Sequence, residues 1–216
     1  MAATNISSKQ VGGDYYDLIR IDDHRFVIAI GDVSGKGTPA SLLMANLQAT
    51  IRALVPLDLP LGELTGRVND LICENTGSDR FITFFWGILD TETRVLRYVN
   101  AGHNPPYVVR ANGTFDRLDV GGLILGIMKA TIPYEQGETT LCDDDLLVLF
   151  TDGVTEAMNA RDEEWEEERL EAIALAHLQS PPDTILDTVV AALKEHGKDV
   201  PQSDDITMII ARALPA

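Results

Sequence analysis

Cysteine is nearly absent from the 216-residue chain, which has only Cys73 and Cys142. Two thiols cannot build the disulfide framework of a small secreted domain, so the chain reads as cytoplasmic, with both thiols reduced in its core. Cations are scarce too: 17 Lys and Arg stand against 34 Asp and Glu, a formal net charge of −17. Binding to a nucleic-acid backbone depends on clustered cations that displace counterions, so nucleic acid is excluded as a partner. An anionic membrane surface is excluded on the same grounds. Long apolar runs are missing as well. The stretch 81–89 is far short of the roughly 18 residues that span a bilayer, so no membrane insertion is expected. The N-terminus, Met1 to Ser8, has neither the basic nor the apolar region of a signal peptide. No repeat, low-complexity tract or Pro/Gly/Ser-rich linker interrupts the sequence, so residues 1–216 read as one domain.

What is present is globular: 45% of residues are hydrophobic and 24% charged. Residues 25–30 form a short apolar strand, stopped by Gly31-Asp32. Thr38-Pro39 predicts a helix start, with Thr38 as the cap and Leu43, Leu47, Ile51, Leu54 and Val55 as the apolar stripe. A second helix follows Pro60, with Leu64, Val68, Leu71 and Ile72 on one face. Residues 81–90 and 94–101 predict one hairpin. Residues 106–111 and 115–119, parted by Asn112-Gly113, predict another. A buried strand at 146–150 precedes helices at 164–178 and 183–196, the latter ended by Gly197, and a last strand at 206–211. The acidic run 162–168 reads as a solvated helix face pinned by Trp165. Hairpins outnumber strand–helix alternations, which argues for antiparallel sheets with helices packed outside them.

The aspartates carry the chemistry. Asp14 precedes an early strand, Asp32 and Asp152 each follow a buried strand, and Asp204 and Asp205 directly precede the last one. In antiparallel sheets such loops can share an edge. Carboxylates gathered there repel unless a counter-charge is present. An oxygen-only ligand set points to Mg²⁺ or Mn²⁺, not zinc. Asp is also common in turns, so spacing alone leaves a chance arrangement open. Other motifs fail. Gly31 to Gly37 lacks the spacing of a P-loop and the Ser or Thr after its lysine. No G-x-S-x-G elbow and no His-paired Cys marks a protein nucleophile.

Six segments occur in order: Val11-Gly-Gly-Asp-Tyr-Tyr-Asp17, Gly31-Asp-Val-Ser-Gly-Lys-Gly37, Asn100-Ala-Gly-His-Asn-Pro-Pro106, Gly121-Gly-Leu-Ile-Leu-Gly126, Phe150-Thr-Asp-Gly-Val-Thr-Glu-Ala157 and Ser203-Asp-Asp-Ile-Thr207. Together they resemble the catalytic domain of the SpoIIE/RsbU-type phosphatases, a bacterial branch of the metal-dependent PPM (type 2C) serine/threonine phosphatases. The resemblance runs from about Lys9 to Arg212. It implies an α+β fold, a sandwich of two antiparallel β-sheets flanked by helices, with two divalent cations, Mn²⁺ or Mg²⁺, at one end. It implies hydrolysis of phosphoserine or phosphothreonine on a regulatory protein, such as an anti-anti-sigma factor, by a metal-bridging hydroxide. Asp14, Asp32, Asp152 and Asp204 match the family's metal aspartates, with Asp32 bridging and the Val33 carbonyl completing one shell. Asp205 is the weaker member of its pair. Lys9 matches a position that contacts substrate phosphate; alone, it reads equally as an exposed lysine. Ser34 stands where eukaryotic members carry His. His103, the only histidine in a family segment, is the candidate general acid, with bracing of the Asn104-Pro105-Pro106 loop as its structural alternative. The chain is expected to be a segment of a longer, sensor-linked protein. The functional alternative is a catalytically inactive phosphoprotein-binding module of the same fold.

Overall fold

A computed structural model describes residues 1–76 and 80–215. In chain order the strands are β1 (Ala2–Ile6), β2 (Tyr15–Arg20), β3 (Arg25–Val33), β4 (Ile82–Asp90), β5 (Val95–Ala101), β6 (Tyr107–Val109), β7 (Phe115–Arg117), β8 (Gly121–Gly122), β9 (Gly137–Thr140), β10 (Leu146–Phe150) and β11 (Ile206–Arg212). The helices are α1 (Thr38–Leu54), α2 (Leu61–Asn75), α3 (Asp152–Thr155), α4 (Glu167–Ala176) and α5 (Pro182–His196). They build two compact units. A terminal unit comprises residues 1–10, 106–117 and 142–216; an internal unit comprises residues 11–105 and 118–141. Each holds one sheet, and nearly every pairing is antiparallel. The expected class, α+β with two antiparallel sheets and helices, is the class the chain adopts.

The internal unit is a meander, β2-β3-β4-β5, extended by a parallel β8 and an antiparallel β9 on β5. Its core joins Val27, Ala29, Phe84 and Trp86 of the sheet to Ala40, Leu43, Leu47 and Ile51 of α1 and to Leu64, Val68 and Ile72 of α2. Helix and strand periodicities meet there, as the stripes predicted. Thr38 is not the cap of α1. Gly37 is, at φ 76°, and Thr38 begins the helix with Pro39 in the first turn. A left-handed cap suits glycine, not the β-branched threonine. Leu71 leaves the apolar face of α2 and is exposed, because residues 64, 68 and 72 already face the sheet. The Trp86 indole donates to Thr65 Oγ1 at 2.9 Å, so its one polar atom is satisfied inside the core.

Helix α1 and the 3₁₀ turn after it make Thr38–Leu57 the single described segment long and apolar enough, by length and composition, to cross a membrane. Its stripe packs into the internal unit's own core. Arg52 donates to both carboxylate oxygens of the buried Asp17, from Nε at 2.9 Å and Nη2 at 2.8 Å.

The terminal unit has the order β1-β11-β10-β6-β7. β10 is buried at every residue. Val148, Phe150, Met208 and Ile210 pack against Leu170 and Ala174 of α4 and Ile185, Val189 and Leu193 of α5. The Asn112-Gly113 hairpin forms between β6 and β7, with Gly113 at φ 85°. The acidic run is not a helix face. α4 starts only at Glu167, Asp162 and Glu166 have φ of 57° and 68°, and Glu164 bridges to Met158. Trp165 is buried, and seating its indole in the core holds this segment off a helical path. The thiols differ from expectation too: Cys73 is half-buried and Cys142 exposed, so neither is a core residue.

Candidate active site

In the terminal unit, antiparallel pairing of Phe150 with Met208 brings the end of β10 to the start of β11. Thr151 secures that junction. Its N–H donates to the Thr207 carbonyl at 3.0 Å, and its Oγ1 accepts from the Thr207 N–H at 3.1 Å. Asp152 opens α3 and is half-buried; Asp204 is half-buried just before β11. The residue between Asp152 and Val154 must be glycine. A Cβ on Gly153 would stand 2.0 Å from the Asp205 carbonyl oxygen and 3.4 Å from the Asp204 Cβ. That approach draws the two aspartates into one electrostatic neighbourhood. Burial, then Asp152, Glu164 and Asp204, push the Glu156 carboxyl above the usual carboxylate range.

Asp204 and its neighbour are engaged differently. Asp205 is buried, and its Oδ1 accepts from the Ser8 N–H at 2.7 Å and the Ser8 hydroxyl at 3.0 Å. It therefore ties the stretch after β1 to the start of β11. Asp204 Oδ1 accepts from the Asp205 N–H at 2.9 Å. Lys9, exposed, follows Ser8 immediately and so stands at this same end of the terminal unit.

In the internal unit, Asp14 is 5% exposed and directly precedes β2. Asp32 lies inside β3, one residue before its end, not after the strand as expected. Tyr15 pairs with Gly31, so carrying that register on by one residue sets Asp14 opposite Asp32. A Cβ on Gly13 would lie 3.0 Å from the Val33 carbonyl oxygen and 3.2 Å from the Ala40 Cβ, so this turn also rests on a close glycine contact. Ser34 is held in the backbone pattern: its N–H donates to the Phe81 carbonyl at 2.9 Å, and its Oγ accepts from the Phe81 N–H at 2.9 Å.

His103 is 4% exposed. Its Nδ1 is 3.0 Å from Thr83 Oγ1, and Thr83 is the cross-strand partner of Asp32. Asn100 holds the His103 main chain, accepting its N–H at 2.8 Å and donating to its carbonyl at 3.1 Å. His103, just after β5, thus reaches Thr83 of β4, whose register partner in β3 is Asp32.

Several contributors carried no separate signal in the sequence. Gly13, Gly153 and Glu156 sit inside the segments that pointed to the aspartates, yet only the backbone contacts reveal what the glycines do. Asp17, also in such a segment, is committed to Arg52 and to the Tyr15 hydroxyl, which donates to it at 3.0 Å. Burial first, then Asp17, raises the Tyr15 phenol above its usual range. Among the described residues, no group of three or more His, Cys, Asp or Glu is arranged to hold a metal ion. The donors gathered in each unit are all oxygens, which suits a hard divalent cation.

These features are those of a known class. The chain belongs to the SpoIIE family: residues 22–214 match the family described as Stage II sporulation protein E (SpoIIE). Phosphoserine phosphatase RsbU of Bacillus subtilis is 31% identical over 215 residues, covering 98% of this chain and 62% of RsbU. The crystal structure of the RsbU and RsbW domains of a Mycobacterium tuberculosis protein matches with a TM-score of 0.84 at 25% identity, over 100% of this chain and 61% of that one. RsbX in complex with magnesium shares the fold, with a TM-score of 0.70 at 18% identity over 97% of this chain and 92% of that one. The chain spans less than two-thirds of the length of the curated relatives it matches. The resemblance to SpoIIE/RsbU-type PPM phosphatases, read from six ordered segments, is borne out.

Proposed function

We propose that the chain is a divalent-metal-dependent phosphatase domain that hydrolyses phosphoserine or phosphothreonine on a regulatory protein, such as an anti-anti-sigma factor. The observation that carries this reading is the contact of Gly153 with the Asp205 carbonyl, which groups Asp152 with Asp204 in an all-oxygen neighbourhood. Membership of a family that includes a phosphoserine phosphatase supports it. In the terminal unit Asp152 and Asp204 would be ligands; in the internal unit Asp14, Asp32 and the Val33 carbonyl would be. When bound, two Mn²⁺ or Mg²⁺ ions supply an activated water and neutralise charge on the phosphoryl group.

The chain's own residues supply the rest. Lys9 places a cation where a phosphate oxygen can meet it. Asp205 spends its carboxylate on Ser8 and positions both Lys9 and Asp204. As the water oxygen bonds to phosphorus, the bond from phosphorus to the serine oxygen breaks, and that oxygen needs a proton. His103, oriented by Thr83, is the group assigned to deliver it. The test is turnover of p-nitrophenyl phosphate and of a phosphoserine peptide with Mn²⁺, Mg²⁺ and EDTA, beside thermal melts in the same buffers. Activity with metal, none with EDTA, and stabilisation of about 2.7 kcal/mol at a hundredfold excess of metal over Kd are expected. Superimposable melts and no turnover of either compound would leave an inactive binding module of the same fold.

A further inference from the structure

The terminal unit has a second feature beside Asp204. A pocket of about 280 Å³ opens among Ile6, Ala157, Met158, Val190, Leu193 and Val200. Gly153 and Asp204 form part of its wall, so it adjoins the residues assigned above to a metal. That size suits one large apolar side chain with part of its backbone, at the small end of ligand pockets. Its charge runs against the rest of the molecule. The chain has 34 acidic residues to 17 Lys and Arg, yet this lining holds two lysines, Lys194 and Lys198, and one carboxylate, Asp204. Lys198 pairs with Glu195 at 2.7 Å. Lys194, on the exposed side of α5, forms no hydrogen bond or ion pair among the described residues.

An apolar floor, an uncommitted cation at the rim and a neighbouring phosphoryl-transfer site define one kind of occupant. We propose that this pocket docks the phosphoprotein substrate, taking an apolar side chain from the segment that flanks the phosphorylated residue, with an acidic residue of that segment paired to Lys194. The inference rests on the phosphatase reading and gives it a specificity determinant. A chain of net charge −17 repels an anionic partner at long range, so recognition has to come from local contacts of this sort. Because the docked side chain is remote from the phosphorus, its loss weakens substrate binding and leaves small esters untouched.

The experiment compares phosphoserine peptides that carry a Leu-Glu pair, stepped along both flanks of the phosphoserine, with pair-free peptides and with p-nitrophenyl phosphate, all with Mn²⁺. At least one register of the pair should raise kcat/KM by roughly tenfold or more, in line with burial of one apolar side chain. Val190→Trp, which fills the pocket, should abolish that preference. Lys194→Glu should shift it from Leu-Glu to Leu-Lys peptides. Both variants should hydrolyse p-nitrophenyl phosphate as the parent does. Lys194 is exposed, so Lys194→Glu keeps the test decisive if Val190→Trp lowers the melting temperature. Turnover of p-nitrophenyl phosphate with no peptide preference, or a preference that both variants retain, overturns the docking site and leaves the phosphatase reading intact. So does a concentration-dependent dimer that Val190→Trp dissociates, because the pocket would then belong to a second copy. No turnover of any substrate overturns the phosphatase reading and the docking site with it.

Discussion

The two units present their aspartates by the same device at different tightness. In the terminal unit, a methyl group at Gly153 would meet a backbone oxygen at 2.0 Å; in the internal unit, one at Gly13 would meet a backbone oxygen at 3.0 Å. The tighter contact joins two stretches far apart in the chain, the start of α3 and the start of β11. The looser one joins the approach to β2 with the end of β3, which the β2–β3 hairpin already holds near. Where the chain supplies proximity through a hairpin, the glycine has less to do. Where it does not, the absence of one side chain decides whether the carboxylates meet.

If both units contribute equally to one reaction, Asp32→Asn and Asp152→Asn should each lower kcat by ~10²-fold or more while circular dichroism stays native, since each removes one ligand charge. Loss in only one variant would break the symmetry and confine the chemistry to that unit. His103→Ala should slow phosphoserine hydrolysis by ~10²-fold yet spare p-nitrophenyl phosphate, whose leaving group departs without a proton. Equal losses on both substrates with a lower melting temperature would assign His103 to bracing its loop instead. Gly153→Ala should destabilise by about 1–3 kcal/mol in denaturant titrations, because the clashing atom is backbone and cannot rotate away. Gly13→Ala should cost less than about 1 kcal/mol, since a few tenths of an ångström relieves it. The reverse order would overturn the tightness argument.

The smallest effect is expected in the turn between β2 and β3. Asp22 accepts from the His24 and Arg25 N–H groups and pairs with the Arg25 guanidinium, and its carboxyl is lowered to about 2, the Arg25 side chain being the first cause. A depressed acid stabilises the fold above its unfolded value of 3.8 and loses that contribution as pH falls through about 2. Asp22→Asn should therefore lower the melting temperature slightly at neutral pH, and the gap should close at the acid end. A gap that persists there would assign the turn to hydrogen bonding alone.

The internal unit was the more legible of the two in the sequence. Its meander is local, and its stripes at Leu43, Leu47 and Ile51 and at Leu64, Val68 and Ile72 follow the helical period. The terminal unit was less so. Strand β1 was not expected at all, because five residues of mixed polarity become a strand only through β11, far along the chain. The run 162–166 looked helical by charge, and Trp165 overrode that pattern by burial. The aspartates were legible as residues before or after strands. The reason the segments of two of them lie side by side, a missing Cβ at Gly153, is a distance between backbones that no composition or period encodes.

The strand order of the terminal unit has a consequence for biosynthesis. β11, the last strand of this sheet in chain order, lies between β10 and β1, the first in chain order. Asp205 then closes on Ser8, 197 residues earlier. Every strand of the internal unit has left the ribosome by Thr140, so that sheet can form during translation. The terminal sheet cannot. Until Ile206–Arg212 emerges, β1 and β10 each wait with an unpaired edge, and Asp204 is made only just ahead of that strand. A nascent chain that ends before Asp204 is thus held without one of its four candidate metal aspartates, and the terminal unit's pair is completed only after the internal sheet.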